Sequence, residues 1–276
     1  MRRLCGLLLM ACALRCRRTE ATIDAFAAPQ GLSLAPASGA PPQAGSRLVL
    51  DSRGVERDGA LLATTRDLRE SLHDAVVRER VVRALGASGD VLVYVDRGAM
   101  FEVVSALVAA LGMAGLRTDH VAFAVAGPDG RVASLRLGAP LPPECEYTFR
   151  GAAPVQDAGP QRRDANVMAC TTEPGLRATV RVSPDGYAVR ATGANLAPGC
   201  DDIGTGLAVR GRDLAALQAC LARIKGLHRE FAADTTVIVT AAPATRFEDV
   251  AAVISAATLQ ADASILFADA TLAFAQ

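Results

Sequence analysis

The chain has 276 residues, 51% of them hydrophobic, and its 29 basic and 29 acidic residues balance to a formal net charge of zero. That length and apolar content exclude a disordered chain and suit two domains of ordinary size, each with material for a core. Neutral balance excludes duplex nucleic acid as a general electrostatic partner, since that binding needs clustered excess positive charge. A single lysine, Lys225, and no tryptophan accompany the many arginines, with no Arg-rich face interleaved with aromatics.

In residues 1–16, Arg2 and Arg3 precede an apolar run from Leu4 to Met10, the n-region and h-region order of a secretory signal peptide. Leu9-Met10-Ala11-Cys12 resembles a bacterial lipobox, and in that class of signal the cysteine is lipidated and becomes the mature N-terminus. Cys12 would then be the lipid anchor. The run falls short of the roughly 20 apolar residues of a membrane-spanning helix and is broken by Arg15, Arg17 and Arg18. No later stretch is long enough, so the mature chain is not expected to cross a bilayer. Residues 17–45, rich in Ala, Pro, Gly and Ser, are expected as a flexible tether.

The first domain is expected over 46–137. Ser46 to Asp51, the turn at Arg53-Gly54 and Val55 to Leu62 predict a strand hairpin. Thr64 or Thr65 caps a helix whose buried stripe is Leu68, Leu72, Ala75 or Val76, and Val82. Val91 to Val95 reads as a strand covered on at least one face. A helix over about Ala99 to Met113 presents Met100, Val103, Val104, Leu107, Val108 and Leu111, and Gly115 stops it. Val121 to Val125 and Arg131 to Leu137 are the closing strands. Residues 138–176, broken by Pro140, Pro142, Pro143, Pro154 and Pro160, form a linker.

The second domain, 177–276, repeats this plan. An offset of 146 carries Arg66, Asp67 and Leu68 onto Arg212, Asp213 and Leu214, Val91 and Val93 onto Val237 and Val239, and Phe101, Glu102 and Val104 onto Phe247, Glu248 and Val250. Spacing kept through two helices and a strand is the mark of duplication. The hairpin Arg177 to Thr192, turning at Ser183-Pro184-Asp185-Gly186, matches the first at an offset of 132, so fourteen residues are inserted before the helix, around Ala194 to Gly211. Leu214, Leu217, Leu221, Ile224 and Phe231 supply that helix's stripe. The last strand, Ser264 to Phe274, places Ile265 opposite Val121 at an offset of 144, with a shortened turn. The expected fold is α+β: two tandem small domains, each a β-hairpin followed by helix-strand-helix-strand, with helices packed on one face of a mixed sheet.

Four cysteines follow the signal: Cys145, Cys170, Cys200 and Cys220. An even number in an exported chain favours disulfides. Of the three pairings, Cys200 with Cys220 and Cys145 with Cys170 are preferred, the first tying the inserted loop to the following helix. No CxxC and no Cys/His cluster of zinc spacing is present, so no metal is expected. His73, His120 and His228 are scattered, away from any Gly-x-Ser-x-Gly or His-Glu-x-x-His pattern. Glu102 and Glu248 recur in both copies, and a carboxylate in a first helical turn is explained by the helix dipole. Asp201-Asp202 reads as a solvated loop pair, and Gly204-Thr-Gly206 is too short for a phosphate loop. No catalytic residue, no cofactor and no enzyme activity are expected.

The order hairpin, helix, strand, helix, strand, with a Phe-Glu-x-Val step before an apolar second helix, resembles the periplasmic domain of the ExbD/TolR family of biopolymer-transport proteins. Val91-Leu-Val-Tyr-Val-Asp96, Phe101-Glu-Val-Val104 and Ala114-Gly-Leu116 carry the likeness in the first copy. Leu221-Ala-Arg-Ile-Lys225, Val237-Ile-Val-Thr240, Phe247-Glu-Asp-Val250 and Ile265-Leu-Phe-Ala268 carry it in the second. Cys200 and Cys220 look like a variant in which two cysteines flank the helix start. The resemblance implies a place beside a polytopic inner-membrane proton-channel subunit and a part in coupling the proton-motive force to work at the envelope. Family members do this with a transmembrane helix bearing an essential aspartate, which this sequence lacks, so recognition is the role that remains. The expected function is an exported, lipid-anchored periplasmic module that binds envelope proteins in such a transport system, with a homodimer as a further expectation. The alternative is an envelope scaffold that contacts peptidoglycan and has no motor role.

Overall fold

A computed structural model of the chain describes residues 26–70, 79–80, 83, 89–113, 115–138, 176–191, 194–227, 229–259 and 265–273. The expected signal segment with Cys12, nearly all of the expected linker with Cys145 and Cys170, and His73 and His228 lie outside the described residues.

The first half opens with an antiparallel ribbon, β1 (Ser46–Leu50), β2 (Gly54–Arg57) and β3 (Ala60–Thr64), leading into α1 (Thr65–Glu70). β4 (Val91–Val95) lies parallel to β1, α2 (Phe101–Met113) leads to β5 (Val121–Ala126) parallel to β4, and β6 (Val132–Arg136) returns antiparallel. The second half builds β7 (Thr179–Ser183), β8 (Gly186–Ala191), β9 (Ala194–Asn195), β10 (Val209–Arg210), α3 (Leu214–Gly226), β11 (Thr236–Ala241), α4 (Phe247–Thr258) and β12 (Asp269–Leu272). The sheet orders are 3-2-1-4-5-6 and 10-8-7-11-12, with β9 beside β8. The protein is thus α+β, two small mixed-sheet domains on one plan.

Register locates the duplication. Val93 lies between Leu48 and Phe123, and Val239 between Val180 and Leu272. The hairpins therefore correspond at an offset of 132 (Leu48 to Val180) and the central strands at 146 (Val93 to Val239). The edge strands also hold 146, because Val55 faces Ala63 while Tyr187 faces Val209. The fourteen extra residues thus fall between β8 and β10. The closing strands correct the expected match: Phe123 answers Leu272, an offset of 149, so Ile265 is not the equivalent of Val121 and the connection lengthens. The reason is packing. Ile265 bridges back to Leu259 and is exposed, while Leu266 and Phe267 sink into the core before β12 begins.

Helix starts follow local chemistry. The Thr64 hydroxyl accepts the Asp67 N–H (3.0 Å) and the Asp67 carboxylate accepts the Thr64 N–H (2.8 Å), a reciprocal capping box. Asp213 caps α3 by accepting the Ala216 N–H at 2.9 Å. α2 then buries Val103, Val104, Leu107 and Leu111, and α4 buries Phe247, Val250, Ile254 and Ala257. Most buried apolar side chains of both halves form one continuous cluster.

All five residues of β4 are buried, so it is covered on both faces. The second cover is the N-terminal arm, which corrects the expected tether over residues 26–45. Phe26, Leu32 and Leu34 pack on Leu92, Tyr94 and Ala124. The Tyr94 hydroxyl donates to the Phe26 carbonyl at 3.2 Å, and the Arg47 guanidinium lies 5.6 Å and 5.8 Å from the Phe26 and Tyr94 ring centres. Burial holds the Tyr94 phenol above its ordinary pKa. The arm then bridges Asp96, Ala126 and Ser134 in turn through Leu34, Pro36 and Ala40. An apolar sheet face with no layer of its own is what keeps this Ala- and Pro-rich stretch docked.

Candidate interaction surface

The most specific arrangement among the described residues is the junction of the two halves, at the starts of α2 and α4. A helix begins with several N–H groups that have no intrahelical partner. Met100 and Arg246 precede the two helices, and neither carries the side-chain oxygen of a good N-cap; Arg246 makes no capping bond. The other half supplies the acceptors. Phe101 N–H donates to the Thr245 carbonyl (2.7 Å) and Glu102 N–H to that of Pro243 (3.1 Å). In return Phe247 N–H donates to the Ala99 carbonyl (2.8 Å) and Glu248 N–H to that of Arg97 (3.0 Å). Met100 and Arg246 face each other as an antiparallel bridge. Under the 146 offset each bond maps onto its reciprocal.

Apolar contact backs these bonds. The Phe123 and Phe247 rings meet edge to face, centres 5.1 Å apart, and both are fully buried. The end of β6 then joins the sheets: Leu137 N–H donates to Val121 (2.9 Å) and Gly138 N–H to Ala270 (2.8 Å), carbonyls at equivalent places in β5 and β12. A Cβ on Gly138 would lie 2.8 Å from that of Asp269, so the seam admits only glycine without displacement. The arm fastens a third point, where the Ser255 hydroxyl accepts from Ser38 N–H (3.0 Å) and donates to its carbonyl (2.9 Å).

The ionisable residues noted in the sequence are not brought together. His120 Nδ1 lies 2.9 Å from Asp90. Glu102 pairs with Arg69 (2.8 Å) and Glu248 with Arg246 (3.5 Å), both on the surface where such pairs contribute little. Asp201 pairs with Arg223, and Asp202 accepts the Ile203 N–H at 2.7 Å. Gly204 packs closely on Ala197 and holds no open loop. No cluster of three metal-ligating side chains occurs among the described residues.

The inserted loop is a built feature. Cys200 and Cys220 are both buried and disulfide-bonded, with Cα atoms 5.3 Å apart. Gly199 N–H donates to Ala208 (2.9 Å), and the Arg223 guanidinium donates to the Gly199 carbonyl (2.6 Å). The loop is thereby held to α3 and against the lead-in to edge strand β10. Lys225 donates to the Leu266 carbonyl and sits 4.6 Å from the Phe267 ring centre, and burial lowers its pKa. The sequence pointed to the disulfide. The reciprocal junction had one legible trace, two helices that start without a capping side chain.

Comparison with protein-family models, with curated proteins and with solved structures finds no match to this chain. No helix among the described residues is long and apolar enough to cross a membrane.

Proposed function

We propose that this protein is an exported binding module of the cell envelope, working by contact within a proton-motive-force-driven transport or energy-transduction assembly. The carrying observation is the buried Cys200–Cys220 disulfide, a bond that persists in oxidising compartments and is rare in the cytosol. The signal-like N-terminus, with Cys12 as lipid anchor, supports the same location. The doubled hairpin-helix-strand-helix-strand unit supports the ExbD/TolR-like reading, in which envelope proteins and a polytopic proton-channel subunit are the partners. Dispersed surface ion pairs favour recognition over bond-making.

The test is in-cell crosslinking of the full chain in its source organism, with thiol labelling of the recovered protein. Capture of a polytopic inner-membrane subunit, with Cys200 and Cys220 closed to the label, is the expected result. Recovery with isolated cell wall and no membrane subunit would replace the motor role with a scaffold. Soluble cytoplasmic protein with both thiols free would end the proposal.

A further inference from the structure

We infer that the junction is a homodimer interface taken inside one chain by duplication, so that a single copy fills the place of two subunits and no second copy docks there. An isologous two-fold contact has a signature: where residue i touches j, the equivalent of i touches the equivalent of j. Four backbone bonds meet it. Phe101 to Thr245 becomes Phe247 to Ala99, and Glu102 to Pro243 becomes Glu248 to Arg97. Met100 and Arg246, equivalent to each other, pair across the pseudo-axis. Residues 137 and 138 are gripped by Val121 and Ala270, which the strand registers make equivalent. Two independent domains on a linker have no reason to exchange bonds reciprocally, nor to share one apolar cluster.

Outside the junction the symmetry is broken, which an internal dimer permits and a true homodimer forbids. Where the first sheet's outer face carries Val49 and Tyr94 and is covered by residues 26–34, the second carries Arg181 and Thr240 at the equivalent places. Beside β10 the disulfide-pinned insertion is packed, and the first half has no counterpart to it. The two halves therefore offer partners different surfaces on one two-fold frame. A partner engages one chain at one site, where a homodimer would offer two.

This inference is independent of where the protein works. The experiment is light scattering on the intact mature chain, then on chain cut at a protease site inserted between residues 150 and 160. A Cys145→Ser background prevents a linker disulfide from tethering the pieces. We expect a one-chain mass (28.6 kDa for the whole sequence) and co-elution of the two pieces across about a hundredfold dilution into the low micromolar range. A two-chain mass for intact protein, or separation of the cut pieces at micromolar concentration, would overturn it.

Discussion

Gly54 at the start of β2, and Asp67 in the first turn of α1 with its partner Thr64, fix how the first ribbon becomes a helix. Gly54 has φ of +148° and Gly186, its equivalent, +143°. At each a Cβ would strike the carbonyl of the adjacent edge strand, Ala63 or Val209. Gly54→Ala and Gly186→Ala should each lower stability by about 1–3 kcal/mol, read as a reduced urea midpoint at unchanged slope; a neutral result would refute the shared constraint. Asp67 tests the cap. The Thr64 N–H and hydroxyl bonds hold its carboxyl below the usual range. Its folded pKa is depressed, so its contribution is present above the unfolded value of about 3.9 and is lost as pH falls through the folded one. The midpoint of the wild type should therefore decline below about pH 4, and Thr64→Val should flatten part of that decline while costing about 1 kcal/mol at neutral pH. Asp51 behaves alike: burial alone would raise its pKa, but the Arg53 and Gly54 N–H groups and the Arg53 guanidinium outweigh it.

At the scale of elements, the insertion between β8 and β10 is held by a covalent bond where the first half has a plain strand. Cys200 and Cys220 are 20 residues apart, and closing a loop of that size stabilises by about 3 kcal/mol in the chain-entropy account. Cys200→Ala with Cys220→Ala should lose an amount of that order in urea unfolding, and reductant should then no longer shift the midpoint. A midpoint that is equally sensitive to reductant with and without these cysteines would show that another bond dominates. The elements themselves were largely legible because their signals are local: the hairpin turn with Asp-Gly at 185–186 and the apolar stripes at helical spacing on α2 and α3 match the backbone. The closing strand lies further along than expected because the apolar run Ile265-Leu266-Phe267 looks like strand by composition, whereas Leu266 and Phe267 serve the core as a loop and Ile265 is exposed. The arm was misread for the opposite reason. Its Ala, Pro and Ser are poor in intrinsic order, and tertiary contacts keep them in place: the apolar outer face of Leu92 and Tyr94, the bridges to Asp96, Ala126 and Ser134, and the Ser38–Ser255 bonds.

At the scale of the whole molecule, the two halves share what a sequence pattern cannot display, backbone carbonyls supplied to each helix from the other half of the chain. Propensity and periodicity describe each helix's side chains, while its first N–H groups are satisfied by position alone, so only the want of a capping residue at Met100 and Arg246 hinted at an outside donor of acceptors. Gly138 gives the sharpest test of that shared structure. It lies where β6 passes from Val121 to Ala270, and a Cβ there would meet Asp269 at 2.8 Å and the Thr271 hydroxyl at 3.3 Å. Valine must push β12 off the seam, at a cost of about 1–3 kcal/mol, and the damage falls between the halves. Gly112, an exposed residue near the end of α2 with nothing within 4 Å of its would-be Cβ, is the contrast. Gly112→Ala should stabilise by roughly 0.5–1 kcal/mol through the unfolded chain. If the seam is a true part of one cooperative unit, Gly138→Val lowers the single unfolding midpoint of both halves together and weakens association of the cut pieces, while Gly112→Ala raises that same midpoint. Two separate transitions in the wild type, with Gly112→Ala moving only the first half's, would mean instead that the halves unfold as strangers and that their reciprocal bonds contribute nothing to stability.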